Sequence, residues 1–401
     1  MTALTKAAKT AAHAKSVKKM SKVEPFKIHV PDEVLSDLRE RLARTRFPSE
    51  IPGTGWDYGT NLDYLKQLVE YWRDSYDWRK HEAELNRFTH FKANIDGLNL
   101  HFIHDRGRGP NPMPLLLSHG WPGSVYEFMQ IIPMLTDPAA HGAEPAQSFT
   151  VVAPSLPGYG FSDHTRTRAV NIQAIAEVLH KLMTDVLGYH RYAAQGGDWG
   201  AGITARLGEV HGDSLYGIHL NSVFVGGRGR EESELSDEER IFLADMDRFR
   251  REESGYQWIQ GTKPQTLAYA LNDSPAGLAA WIVEKFRTWS DCGGDVERRF
   301  SKDQLLTNVM IYWVTEAINS STRLYYESRH HPWRPDPKKR IETPTAAAIF
   351  PREILRPPRS WAEAAFNIQR WTVMPQGGHF AAMEEPKLLA DDIRAFFTGS
   401  K

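Results

Sequence analysis

Apolar positions recur every three or four residues at Val34, Leu35, Leu38 and Leu42, and again at Leu62, Leu65, Leu68, Val69 and Trp72. That spacing lays one stripe along a helix face, so residues 26 to about 91 read as helices that cover another domain. From Leu98 the texture changes to short apolar runs at 98–105, 113–118, 149–153, 191–196 and 215–220, separated by helical stretches. Strands alternating with helices build a mostly parallel sheet covered on both faces. Within this region Ile172, Ile175, Leu179, Leu182, Met183 and Val186 share one face of a helix over 171–187, and Gly188 supplies its stop.

After about Phe224 the alternation lapses for roughly 120 residues of helical, charged and aromatic sequence, too long for a loop. This stretch reads as a helical lid inserted after the sixth core strand. Its charged run, 230–253, is expected to be a solvated helix face. Strand texture resumes at 344–350 and 368–374, and Leu388, Leu389, Ile393, Phe396 and Phe397 mark a closing amphipathic helix. The expected organisation is a flexible arm at 1–23, a helical extension at 24–96, core at 97–222, lid at 223–342 and core again at 343–401. The fold class is α/β.

Composition adds limits. The chain of 401 residues is 41% hydrophobic, enough for a large core. Its 49 basic and 50 acidic side chains nearly cancel, which removes an electrostatic reason to seek nucleic acid or an anionic membrane and suits a neutral organic substrate. Cys292 is the single cysteine, so no internal disulfide forms, cysteine metal sites are out, and a reducing, cytoplasmic setting is expected. No apolar run approaches the roughly 18 residues of a spanning helix. The first 22 residues carry six lysines and no acid. Without a continuous apolar segment, and with lysine in place of arginine, they read as an arm and not as a targeting peptide.

The chemistry is concentrated in a few places. A strand runs directly into Gly196-Gly197-Asp198-Trp199-Gly200, the small-x-nucleophile-x-small arrangement that presents one side chain on a strained strand-to-helix turn. Here that side chain is a carboxylate. A carboxylate attacks carbon without first losing a proton and leaves an alkyl ester, so sp3 electrophiles such as epoxides and alkyl halides qualify. His119-Gly120-Trp121-Pro122-Gly123 follows the strand at 113–118, where the second oxyanion donor belongs. The backbone N–H groups of Trp121 and Trp199 are the candidate donors, His119 is expected to be structural, and sequence leaves the isomer of the Trp121-Pro122 bond open. Triad order in such folds puts the base last, and His379, in Gln376-Gly377-Gly378-His379-Phe380, lies between a strand and the final helix. Glu353 follows the preceding strand and is the candidate for orienting it, with Asp303 and Asp336 as weaker alternatives.

Together with 26–46, Leu156-Pro157-Gly158-Tyr159-Gly160-Phe161-Ser162 and the run from Gly377 to Pro386, these motifs resemble the microsomal-type epoxide hydrolases over nearly everything after Glu24. The resemblance implies an α/β-hydrolase fold with an N-terminal extension, hydrolysis of epoxides to diols, and no metal or organic cofactor. It also implies two lid tyrosines that hydrogen-bond the epoxide oxygen. The matching motifs, Glu253-Ser254-Gly255-Tyr256 and the run from Ser320 to Glu327, assign that role to Tyr256 and Tyr325, with Tyr326 adjacent but about 100° away on a helix. Members of that family carry a hydrophobic N-terminal anchor where this chain has its lysine-rich arm, which points to a soluble microbial relative. The expected partners are an epoxide and water. A haloalkane dehalogenase, which shares the aspartate elbow and uses a tryptophan indole on the halide, is the nearest alternative, followed by an inert small-ligand binding module. Sequence leaves a homodimer, the natural substrate and the selectivity open.

Overall fold

The computed structural model describes residues 22–225, 232–336 and 338–398, so nearly all of the basic arm, and Arg230 and Glu231 of the charged run, lie outside the described residues. In chain order the elements are β1 (Val23–Phe26), α1 (Asp32–Ala43), α2 (Leu62–Asp74), α3 (Trp78–Leu85), β2 (His90–Ile95), β3 (Leu98–Asp105), β4 (Met113–Ser118), α4 (Ile131–Thr136), β5 (Phe149–Pro154), α5 (Ile172–Lys181), β6 (Tyr192–Gly196), α6 (Asp198–Val210) and β7 (Leu215–Leu220). Six helices follow: α7 (Asp237–Glu252), α8 (Gly255–Thr262), α9 (Pro264–Leu271), α10 (Pro275–Trp289), α11 (Lys302–Val314) and α12 (Ile318–His330). The chain closes with β8 (Ile341–Ile349), α13 (Arg359–Ala365), β9 (Phe366–Val373), α14 (Ala381–Glu384) and α15 (Pro386–Thr398).

Nine strands form one sheet in the order β1-β2-β3-β5-β4-β6-β7-β8-β9. The pairs from β5 through β9 are parallel, and β1, β2 and β3 add antiparallel pairs at one edge. Two of these strands, β1 and β2, stand at the two ends of the extension expected to be helical over 24–96. β1 contains Pro25, which has no N–H to give a ladder, and it sits at the sheet edge, where that costs least. β2 turns into β3 through Asp96-Gly97, both with positive φ (52° and 89°), the conformation of a tight hairpin. The helix expected over 171–187 changes form near its end, with a wider π-type turn at Leu182–Val186 before Gly188.

Alternation along β4 shows how the sheet divides the interior. Leu115 and Leu117 join the apolar cluster shared with α4 and α15, whereas Leu116 faces the other way. That second cluster is continuous from the sheet through α5 and α6 to Leu68 and Trp72 of α2 and on to Phe286 and Leu306 of α10 and α11. The extension and the inserted helices therefore share one core. Polar bonds fix their register: Tyr71 donates to Asp303 (2.7 Å), and the Thr60 hydroxyl donates to the Ala280 carbonyl (2.8 Å). Capping boxes start α7 (Ser236 with Glu239) and α11 (Ser301 with Gln304).

Candidate active site

β6 ends at Gly196 and α6 begins at Asp198, so the chain reverses over one residue. Asp198 takes φ +49°, a left-handed conformation that costs an L-residue roughly 1–3 kcal/mol and persists only where the surroundings impose it. The surroundings do so through close backbone approach. A Cβ at Gly200 would fall 1.9 Å from the Ser118 carbonyl oxygen, and one at Gly120 would fall 2.2 Å from Asp198 Oδ1. The end of β4, the elbow and the 119–123 loop thus meet at distances only glycine allows.

The carboxylate is held on both oxygens. Oδ1 accepts the Trp121 N–H (2.9 Å), and Oδ2 lies 3.3 Å from His379 Nε2. Trp199 follows at the first turn of α6, where backbone N–H groups have no partner within the helix and favour negative charge. His379 Nδ1 meets Glu353 Oε1 at 2.7 Å, and the Ile354 N–H donates to the same oxygen (2.7 Å). Ser222, just past β7, completes the frame: its hydroxyl accepts the Asp198 N–H (3.2 Å) and donates to Glu353 Oε2 (2.7 Å). Burial alone would depress the His379 pKa, but the charge and hydrogen bonds of Glu353, joined by those of Asp198, carry it well above the usual imidazole value.

The loop that carries His379 is pinned to the end of α10. The His379 N–H donates to the Trp289 carbonyl (2.9 Å). Glu384 accepts the N–H groups of Phe380 (3.0 Å) and Asp291 (2.7 Å). Burial pushes the Glu384 carboxyl up to about 7, against those bonds.

Tyr256 of α8 and Tyr325 of α12 come down from the inserted helices. The Tyr256 ring stacks on Trp121 (5.3 Å, 9°), Tyr325 stands edge-on to Trp199 (4.7 Å, 87°), and the two phenol rings are 5.8 Å apart. Burial raises both phenol pKa values, and the charge of Asp198 raises them further, so both remain protonated at neutral pH. Tyr326 is 36% exposed and stacks on His330, away from this group. The cavity of ≈ 180 Å³ between sheet and inserted helices is lined by Asp198, His379, Tyr256 and Tyr325, with apolar walls that include Val223, Phe242, Met246 and Phe249. The charged run on α7 is therefore solvated on one side only, because its apolar side forms a wall of this cavity.

The remaining candidates separate cleanly. Asp303 is bonded to Tyr71 of the extension and Asp336 caps the Lys338 N–H, so neither stands at His379. His119 is buried, with Nδ1 on the Gly120 carbonyl (3.0 Å) and Nε2 accepting the Leu156 N–H (3.2 Å); burial pushes its pKa down to about 4, and it holds the loop as a neutral ring. The Trp121-Pro122 bond is cis. Sequence motifs do not reveal Ser222, nor Glu127, whose carboxyl group is enclosed behind Asp198 and pushed up to about 8 by burial, with the Asp198 charge adding to it.

A parallel sheet flanked by helices, an acidic elbow after β6 and a late histidine define an α/β hydrolase. The sequence profile of the alpha/beta hydrolase fold matches residues 113–386, and that of the epoxide hydrolase N terminus matches residues 23–128. Epoxide hydrolase 1 of Oryctolagus cuniculus is 40% identical over 93% of this chain and 88% of its own. The crystal structure of juvenile hormone epoxide hydrolase from Bombyx mori superposes with a TM-score of 0.87 at 34% identity, covering 94% of this chain and 95% of that one. The structure of Aspergillus niger epoxide hydrolase gives 0.84 at 30% identity, covering 95% and 97%. The chain belongs to the epoxide hydrolases of the microsomal type, and it is an enzyme of that activity. Among the described residues no helix is long and apolar enough to cross a membrane.

Proposed function

We propose that this chain converts epoxides to vicinal diols through an ester on Asp198. The observation that carries the reading is one carboxylate that shares its cavity with two protonated phenols and with a His379–Glu353 pair, His379 Nε2 lying 3.3 Å from Asp198 Oδ2. Oδ1 is occupied by the Trp121 N–H, which leaves Oδ2 as the attacking oxygen. Oδ2 bonds to an epoxide carbon, the carbon–oxygen bond of the ring breaks, and the resulting alkoxide takes a proton from Tyr256 or Tyr325. Forming the ester neutralises Asp198 and so removes one of the charges that keep His379 protonated, which shifts the imidazole towards its basic form.

His379 then takes a proton from water as the water oxygen bonds to the Asp198 carboxyl carbon. Charge collects on Oδ1, where the Trp121 N–H already points and the first turn of α6, with the Trp199 N–H, favours it. The tetrahedral centre collapses and the ester bond breaks as His379 passes its proton to the departing oxygen, the remaining proton of the attacking water returns the phenolate to phenol, and the diol leaves with Asp198 again a carboxylate. The test incubates wild type, Asp198→Ala and His379→Gln with a terminal aryl epoxide and separately with a primary alkyl bromide. The expected result is diol from wild type alone, with a protein–substrate ester accumulating in His379→Gln. Bromide release without diol would replace this reading with dehalogenation.

A further inference from the structure

Behind the nucleophile, separate from the substrate cavity but sharing Asp198 and His379 with it, lies a second cavity of ≈ 20 Å³, lined also by Ser118, Glu127, Gln195 and Asn221. A void of this measure holds about one water molecule. Polar groups share its walls with Phe128, Phe380 and Leu389, and two of the polar groups are incompletely bonded. Ser118 is 0% exposed and Gln195 1%, and neither Ser118 Oγ nor Gln195 Oε1 has a protein partner, although Gln195 Nε2 is fixed by Asn221 Oδ1 at 2.7 Å. Buried polar atoms left in this way are costly unless a water satisfies them. Glu127 reaches the same space because Gly123 has no side chain: a Cβ there would fall 1.6 Å from Glu127 Oε1.

We propose that this chamber holds the water that hydrolyses the Asp198 ester, and that Glu127 is the positioning residue that orients it between His379 and the Asp198 carboxyl carbon. The inference rests on the ester reading above. The water gives its proton to His379 Nε2, its oxygen bonds to the carboxyl carbon and the ester bond breaks, while Glu127 hydrogen-bonds the water and is itself neither consumed nor esterified. The titratable groups that face Glu127 are Asp198, His379 and, from α11, Tyr312. Burial disfavours the Glu127 carboxylate, and although His379 and the Gly120 backbone oppose this, the Asp198 charge adds to it and Glu127 is pushed up to about 8. It can then donate to a water and accept from one.

The experiment separates the two steps with stopped-flow tryptophan fluorescence, since Trp121 and Trp199 border the site, and with acid-quenched mass measurement of the ester. Glu127→Leu is expected to slow ester breakdown about 10–100-fold, the range typical of groups that orient a reacting partner, with ester formation altered less than about twofold. Glu127→Gln, which keeps an acceptor and donors in place, is expected to restore breakdown to within a few-fold of wild type while one ionisation vanishes from its pH profile. Equal slowing of both steps in Glu127→Leu, or breakdown and pH profile unchanged in both variants, overturns the water site and leaves the ester mechanism standing. Absence of any ester in wild type and in His379→Gln overturns both.

Discussion

Two phenols in the cavity where one would hydrogen-bond an epoxide oxygen raise the question of how each contributes. Tyr256 accepts a hydrogen bond from the Gln257 amide (3.0 Å) and stacks on Trp121, whereas Tyr325 is fixed edge-on by Trp199. Both pKa values are raised, so neither phenol is poised to ionise alone, and proton transfer must be driven by the strongly basic alkoxide that forms as the ring opens. Tyr256→Phe and Tyr325→Phe should therefore each slow ester formation about 10²-fold, with the double variant inactive, and neither should alter breakdown of an ester once formed. Single-turnover kinetics check this, and slower breakdown in either variant would assign the tyrosines to water activation instead. Asp198, His379 and Glu353 are legible in sequence because each lies in a motif or in a fixed place after a strand, and Tyr256 and Tyr325 only through the family resemblance. Ser222 and Gln195 are not, because a serine after β7 and a glutamine inside β6 have no spacing signature and gain meaning only from what the sheet order brings beside them.

At the scale of elements, the elbow works because β4, β6 and α6 approach closer than side chains permit. Gly120→Ala tests this directly, since its new Cβ would fall 2.2 Å from the Asp198 carboxylate and not on a distant backbone. The expected outcome is a folded protein, with a circular dichroism spectrum like that of wild type, whose ester formation is slowed by about 10²-fold or more, the penalty for displacing a reacting group by about an ångström. Wild-type rates in this variant would show that the loop yields freely. The same scale exposes where periodicity misleads. β2 was hidden because its buried positions, His90, Ala93 and Ile95, include a polar histidine that is satisfied inside, by His101 and the Leu85 carbonyl, and so carries no apolar signal. The Asp96-Gly97 turn that follows was the readable cue to a hairpin. α7 shows the converse: its charges correctly announced a solvated face, yet three aromatic and methionine positions on the other side, Phe242, Met246 and Phe249, border the cavity.

For the whole molecule, the decisive fact is that the extension has no core of its own. Leu68, 0% exposed, belongs to the cluster that continues through Phe286 and Leu306 of the inserted helices, and Arg41 reaches across to the Asp273 carboxylate (2.6 Å). The extension packs on α10 and α11, and α9 joins α10 to the helices that carry Tyr256 and Tyr325, so the extension braces those helices at one remove. The exposed Arg41–Asp273 pair adds little by itself, since surface ion pairs contribute about 0–1 kcal/mol, so the apolar contact must dominate. Leu68→Ala should then cost about 2–5 kcal/mol, as deletion of a buried leucine does where the site cannot collapse. Because the core is shared, the loss should appear everywhere at once: tryptophan fluorescence, far-ultraviolet circular dichroism and epoxide hydrolysis should fall in one coincident transition at lower urea than in wild type. An extension that unfolded separately would instead give an early fluorescence change with activity retained, and that result would mean the tyrosines are positioned by the inserted helices and the sheet alone.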